Sequence, residues 1–372
     1  MLRQLEALKQ HGSVTTVGFG AAPDGVAQHI EVPADLKTLP QTFSGVLNLA
    51  LRRMRASELA APAVRFALAA LEGRRFDLVV ANEARVLGLA HAVSRGAPVW
   101  ADMHEWAPEE RTQILSWKLL VAPFISHLCD RYLPRSKAVT AVCGSIADLY
   151  RSYFGVETSV VRNAGPYLDL TPSESNPDRV RLVHSGAAIR GRGLEAMIEV
   201  VETLDARYTL DLYLMPGGDG GAYLDELRRR AEGSARIVFH EPVTPAELPR
   251  ELNKYDVGIF WIPPTNTNAK LTLPNKFFDY VQARLAIAVG PSPEMAALVR
   301  EYSLGVVSSS WDVRSYRESL LELDGPGIES AKRAAHAAAS QLSSATDARH
   351  MSEVITALLA ASREAAGVTD AE

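Results

Sequence analysis

Short apolar runs recurring between helix-patterned stretches constrain this chain more than any other feature. Phe76 to Ala81 closes on Leu-Val-Val-Ala with no polar alternation. A strand with one wet face alternates, whereas an unbroken run is expected where helices cover both faces of a sheet. Val14–Gly18, Pro98–Met103 and Ala138–Val142 read as further strands. Helical patterns at 83–95, 112–132 and 145–153 lie between them, so the segment predicts a parallel sheet with crossover helices.

The pattern then stops and starts again. Between 163 and 178 the chain carries three prolines and few strong element formers, the texture of an interdomain linker. A second series follows: strand 181–185, helix 194–204, strand 209–214, a glycine-rich turn at 217–221 and a helix reaching Ala231. Strands at 236–240 and 257–262, a helix at 275–284 and a strand at 285–289 complete it, before an alanine-rich helical end at roughly 330–365. The 372 residues suffice for two cores. We expect a first domain over 1–165, a linker over 166–178, a second domain over 179–345, and a C-terminal helix and tail over 346–372. The chain opens on a helix, although a Rossmann-like domain ordinarily opens on a strand. The first strand of the first domain is therefore expected to be missing.

Composition removes several classes of function. The amphipathic start, with charges of both signs, is unlike a secretory leader. No stretch offers the ~18 uncharged apolar residues needed to span a bilayer; the best, Leu115–Leu133, is broken by Lys118, His127, Asp130 and Arg131. Cys129 and Cys143 form no metal pattern and read as reduced, buried thiols of a cytoplasmic protein. Net charge is −5, and no basic-aromatic surface pattern appears, which argues against nucleic acid. The charge is uneven: residues 1–165 hold 18 Lys/Arg against 15 Asp/Glu, and 166–372 hold 21 against 29. The basic half, with Arg52, Arg53, Arg55, Arg65, Arg74 and Arg75, invites peripheral contact with an anionic membrane, at the inner face of the cell membrane, or with an anionic acceptor.

Three stretches carry candidate chemistry. In His184-Ser-Gly-Ala-Ala-Ile-Arg-Gly-Arg-Gly-Leu-Glu195 a strand ends at Gly186, a short loop follows, and a helix opens near Gly191 to Leu194. Helix N-termini attract anions, small residues admit a phosphate, and Arg190 and Arg192 add bidentate positive charge; the same pattern also fits a plain strand–turn–helix joint with solvated arginines. In Leu273-Pro-Asn-Lys-Phe-Phe-Asp-Tyr280, Pro274 and Asn275 suit a helix start. Lys276 in the first turn is unfavourable unless an anion is near, and Asp279 shares its face, where a carboxylate can accept from two ribose hydroxyls; a surface Lys–Asp pair is the alternative. The third stretch, Asp102-Met-His104-Glu105, ends a strand, where open parallel sheets bind ligands. There Asp102 is either a cap or part of a site, and Glu105 either a surface carboxylate or part of it.

These stretches, in this order, resemble the retaining GT-B glycosyltransferases of the group 1 family. The Gly186…Arg192-Gly193 loop, Asp256-Val-Gly258 and Leu273–Tyr280 resemble that family's donor domain. Val139–Cys143, Val160-Val-Arg-Asn163 and the D-x-H-E of Asp102–Glu105 resemble its first domain. The resemblance implies two Rossmann-like α/β domains facing a cleft, with a C-terminal helix crossing back to the first. It further implies transfer of a hexose from a nucleotide-diphosphate sugar to an acceptor, with retention and without a metal or other cofactor. Arg192 and Lys276 would grip the diphosphate, Asp279 the ribose, and His104 would face the sugar. Two positions depart from the family: its first acid falls at Leu271 here, and the basic residue after the loop glycine is Ala187, for which Arg190 can substitute. The missing acid and the missing first strand support a competing reading, a noncatalytic homologue serving as a partner or regulatory subunit; a third, a sugar-nucleotide epimerase, needs more carboxylates than the sequence places.

Overall fold

The computed structural model describes residues 2–365. The chain divides into two compact units. One takes the described residues up to Arg162 and from Asp347 onward, and the other takes Asn163–Thr346.

In the first unit, β1 (Thr15–Gly18) and β2 (Gln28–Glu31) form a two-stranded parallel sheet. A second, four-stranded parallel sheet has the order β3 (Val79–Asn82), β4 (Val99–Met103), β5 (Ala138–Ala141), β6 (Ser159–Val160). Strand β4 is buried at every position, as its unbroken apolar pattern requires. The helix Ser344–Ala365 ends in this unit. Its Met351, Ile355 and Leu358 share a face and pack with Trp100 of β4 and Ala7 of the opening helix Leu2–Lys9. Asp347 fixes that return by accepting from the backbone N–H of Arg162 at 3.0 Å and from its guanidinium at 3.2 Å.

The second unit is a single six-stranded parallel sheet. Strands β7 (Val180–Ala187), β8 (Tyr208–Met215), β9 (Ile237–His240), β10 (Val257–Phe260), β11 (Ala286–Val289) and β12 (Gly305–Val307) lie in the order β12-β11-β10-β7-β8-β9. This is a doubly wound, Rossmann-like order that reverses direction between β7 and β10. Every residue of β10 and β11 is buried. Asp256, at the foot of β10, is buried and closed off by the Arg181 guanidinium at 2.9 Å and by Lys332 at 3.4 Å. It is a structural ion pair, far along the strand from the ligand-lining end.

Several local readings change. Residues 19–75, unassigned by sequence pattern, carry β2 and the helices Phe43–Ala50, Met54–Ser57 and Pro62–Ala70. Strand β2 is short and polar, and its identity comes from pairing with β1, which periodicity does not register. The stretch read as one helix over 83–95 begins as a tight turn at Ala84–Val86 before the helix Leu87–Ser94. The helical end is two helices, Gly325–Ala338 and Ser344–Ala365, broken where Gln282 donates to the carbonyl of Ala339 at 2.7 Å. Among the described residues no helix is long and apolar enough to cross a membrane.

Candidate functional site

The reversal between β7 and β10 is where a doubly wound sheet opens a crevice at the carboxyl ends of its strands. Most of the second-domain candidates converge there. Gly193 caps the helix Leu194–Thr203 at φ 75°, and a Cβ on it would lie 2.2 Å from the backbone oxygen of Trp261, directly after β10. Only glycine lets that helix start approach the strand end so closely. The helix Asn275–Gln282 is seated by Phe277, Phe278, Tyr280 and Val281, all buried. Tyr280 packs its ring on Gly258 and donates from its hydroxyl to the carbonyl of Ile259 at 3.2 Å. With those four positions committed inward, Lys276 and Asp279 are left on the remaining face. Pro274 caps the helix in extended conformation and makes no side-chain cap, and Asn275 is exposed at the first turn.

Lys276 lies over the Phe260 ring, 4.9 Å from its centroid. Its amine also lies 2.4 Å from where a Cβ on Gly186 would stand. Burial and then the Arg192 guanidinium push its pKa down to about 8, against the pull of Asp279. Among the described residues neither Lys276 nor Arg192 has a side-chain hydrogen bond or ion pair. Two neighbouring cations, both partly buried and with no carboxylate in ion-pair contact, make a site for an anion. Gly165 runs beside Asp279: a Cβ on it would meet Oδ1 at 3.7 Å.

His184, inside β7, has no role among the residues expected from the sequence. It is buried, hydrogen-bonds through Nδ1 to the carbonyl of Ile259 at 2.9 Å, and stacks on Phe260. Burial and then Lys276 hold its pKa down to about 3, so it is neutral and presents Nε2 as an acceptor beside Gly186. Arg190 is placed differently from Arg192. It is exposed, lies over the Tyr223 ring, and forms an ion pair with Glu226 on the helix Ala222–Arg230. Leu271 ends the short helix Thr267–Lys270.

In the first unit the ends of β3 and β4 assemble a second cluster. Asp102 is buried and no cap: one carboxylate oxygen accepts from Thr140 Oγ1 at 2.6 Å, the other from Gln4 Nε2 at 3.2 Å and from His104 Nε2 at 2.9 Å. Thr140 in turn accepts from the indole of Trp100 at 2.9 Å. The other ring nitrogen of His104 lies 3.4 Å from the carboxylate of Glu83. The hydrogen bond to Asp102 raises the His104 pKa, outweighing burial. Burial raises that of Glu83, with His104 opposing and Glu105 adding to the rise. Glu83 holds φ at 79°, an uncommon conformation for a non-glycine residue and a cost the surrounding fold must sustain. Sequence reasoning missed it. Its one signal was position, directly after a strand end.

Residues 6–164 match the family model of Glycosyltransferase Family 4. No curated protein matches the chain. Among solved structures the chain is similar to an α,α-trehalose-phosphate synthase (UDP-forming) from Burkholderia vietnamiensis, at 12% identity and TM-score 0.65, covering 97% of each chain. Anabaena HepE, solved in complex with UDP, aligns at 14% identity and TM-score 0.66, covering 93% of this chain and 100% of HepE. WaaG, a glycosyltransferase involved in lipopolysaccharide biosynthesis, aligns at 14% identity and TM-score 0.65, covering 95% of this chain and 94% of WaaG. The chain therefore has the GT-B fold of two Rossmann-like α/β domains and is similar to glycosyltransferases of the group 1 type.

Proposed function

We propose that this protein transfers a sugar from a nucleoside-diphosphate sugar to an acceptor hydroxyl. One observation carries the reading: the cations Lys276 and Arg192, neither in an ion pair, at the switch point of the second sheet, with Gly186 leaving the space beside the Lys276 amine that a Cβ would fill. A nucleoside diphosphate supplies the missing anion. Asp279, on the same helix face as Lys276, accepts from the ribose hydroxyls, Pro274 and Asn275 bring a helix start to the phosphates, and neutral His184 lines the floor. The presence of UDP in HepE and in the name of the Burkholderia synthase fits this class of donor.

In the reaction the sugar's C1–O bond to the diphosphate breaks with its electron pair, and Lys276 and Arg192 offset the charge that develops on the leaving oxygens. No metal is needed for that step in this proposal, since two side-chain cations serve. The acceptor oxygen forms the new bond to C1, and its proton passes to the departing diphosphate oxygen, which carries the electron pair of the broken bond. Transfer proceeds with retention, on the strength of the group 1 resemblance. His104 serves turnover, its ring held by Asp102 on one side and Glu83 on the other.

A noncatalytic homologue is the second reading, favoured by the apolar Leu271 where the family has its first acid. Incubation with UDP- and GDP-sugars in the presence of chelator, with donor hydrolysis and transfer followed by NMR, separates the two. Released nucleoside diphosphate with an α-configured product from an α-configured donor supports the transferase. Tight nucleotide binding without turnover for any donor supports the homologue, and an inverted product removes retention.

A further inference from the structure

The helix Phe43–Ala50 buries Gly45 and Leu49 and turns Phe43, Val46 and Leu47 to solvent, Phe43 being 88% exposed. Leu51 continues the outward row at the four-residue spacing that stacks side chains on one helix face. Trp117–Val121 packs against this helix. It exposes Leu119, and the bend and helical turn before it expose Ile114 and Leu115, the latter at 69%. Between the two lies a cavity of about 460 Å³ lined by Leu39, Val46, Leu49, Trp117, Leu120 and Val121, among others. A helix apolar on both its inward and outward faces, beside a second exposed apolar segment, is more than the scattered surface leucines of an ordinary monomer.

The charge beside this face is positive. Arg52 and Arg53 follow Leu51 directly, Arg55 lies one turn on, Lys118 stands between Trp117 and Leu119, and Lys37 borders the cavity. All five are exposed, and none has a side-chain hydrogen bond or ion pair among the described residues. Glu110 is occupied by Arg85 and Arg111. Apolar residues ringed by unpaired cations match an anionic interface, where the rings enter the acyl boundary and the arginines meet headgroup phosphates. A second copy of the chain fits poorly. An isologous contact sets like surface against like, bringing the arginine clusters together.

We propose that this face of the first unit docks on an anionic lipid bilayer. The proposal is independent of the transferase reading, because donor turnover and vesicle binding are measured separately. The full chain is sedimented with vesicles of phosphatidylcholine alone and of phosphatidylcholine mixed with phosphatidylglycerol. The protein partitions to the mixed vesicles, and the bound fraction falls as salt rises. Phe43→Ser with Leu115→Ser lowers the partition coefficient at least ~10-fold, as expected for withdrawing two large apolar side chains from lipid. Arg52→Gln with Arg53→Gln lowers it about fivefold per arginine. All four sites are exposed, so melting temperatures stay at the wild-type value and report that the variants fold. Equal partition to both vesicle types overturns the proposal. So do double variants that bind as wild type, or a dimer in solution that the same substitutions dissolve while vesicles capture nothing.

Discussion

The two units present candidate chemistry at the same place, the carboxyl ends of parallel strands, and solve its electrostatics in opposite ways. At the end of β4 the titratable ring is closed in: His104 has Asp102 on one ring nitrogen and Glu83 beside the other. At the end of β7 the cations Lys276 and Arg192 are left open, and the amine is held partly deprotonated by burial near pH 8. A site that has satisfied its charges internally is built to orient a group. A site that has not is built to receive one. Under the proposed function, binding falls to the second unit and turnover to the first.

His104→Ala breaks the comparison most sharply. Removing a group that acts in the transition state should lower kcat about 100-fold while nucleotide affinity, measured by calorimetry, stays within error of wild type. A matching loss of affinity would place His104 in ground-state binding and erase the distinction. Asp279→Asn tests the other side. Loss of a charge-assisted hydrogen bond to ribose costs ~1.5–3 kcal/mol of nucleotide binding, about 10- to 150-fold in Kd. Affinity equal to wild type would move the donor elsewhere.

A smaller effect comes from pH. The folded pKa of Lys276 lies below its ordinary value of 10.5, so between about 8 and 10.5 the unfolded chain holds a proton that the folded chain has released. For the free protein this makes stability rise with pH across that window. A bound diphosphate favours the charged amine and reverses the preference. Nucleotide affinity should therefore be flat below pH 7 and fall about tenfold by pH 9. Lys276→Arg should abolish that fall, since a guanidinium does not titrate there. An unchanged pH profile in the variant would show that another group titrates.

Much of this was legible in the sequence because it is local. The seating of the helix Asn275–Gln282 follows from four apolar positions, and the same spacing puts Lys276 and Asp279 together. Gly193 and Gly186 announce themselves as glycines at a strand–helix joint. What sequence spacing cannot carry is partnership at a distance. Arg190 and Arg192 look alike in the chain, yet Arg190 is taken by Glu226, 36 residues on. The Asp102 network reaches to Thr140 and Gln4, 38 and 98 residues away. Glu83 is distinguished by a backbone angle, which no side-chain pattern encodes.

The most direct test of the central claim is calorimetric titration of UDP and GDP into wild type and Lys276→Ala, in chelator at pH 7. The account predicts binding of at least one nucleotide by wild type and a loss of at least tenfold in the variant, which folds with the wild-type melting temperature or higher because a partly buried cation has been removed. Equal binding by both proteins, or binding that appears only when magnesium or manganese is restored, would contradict it.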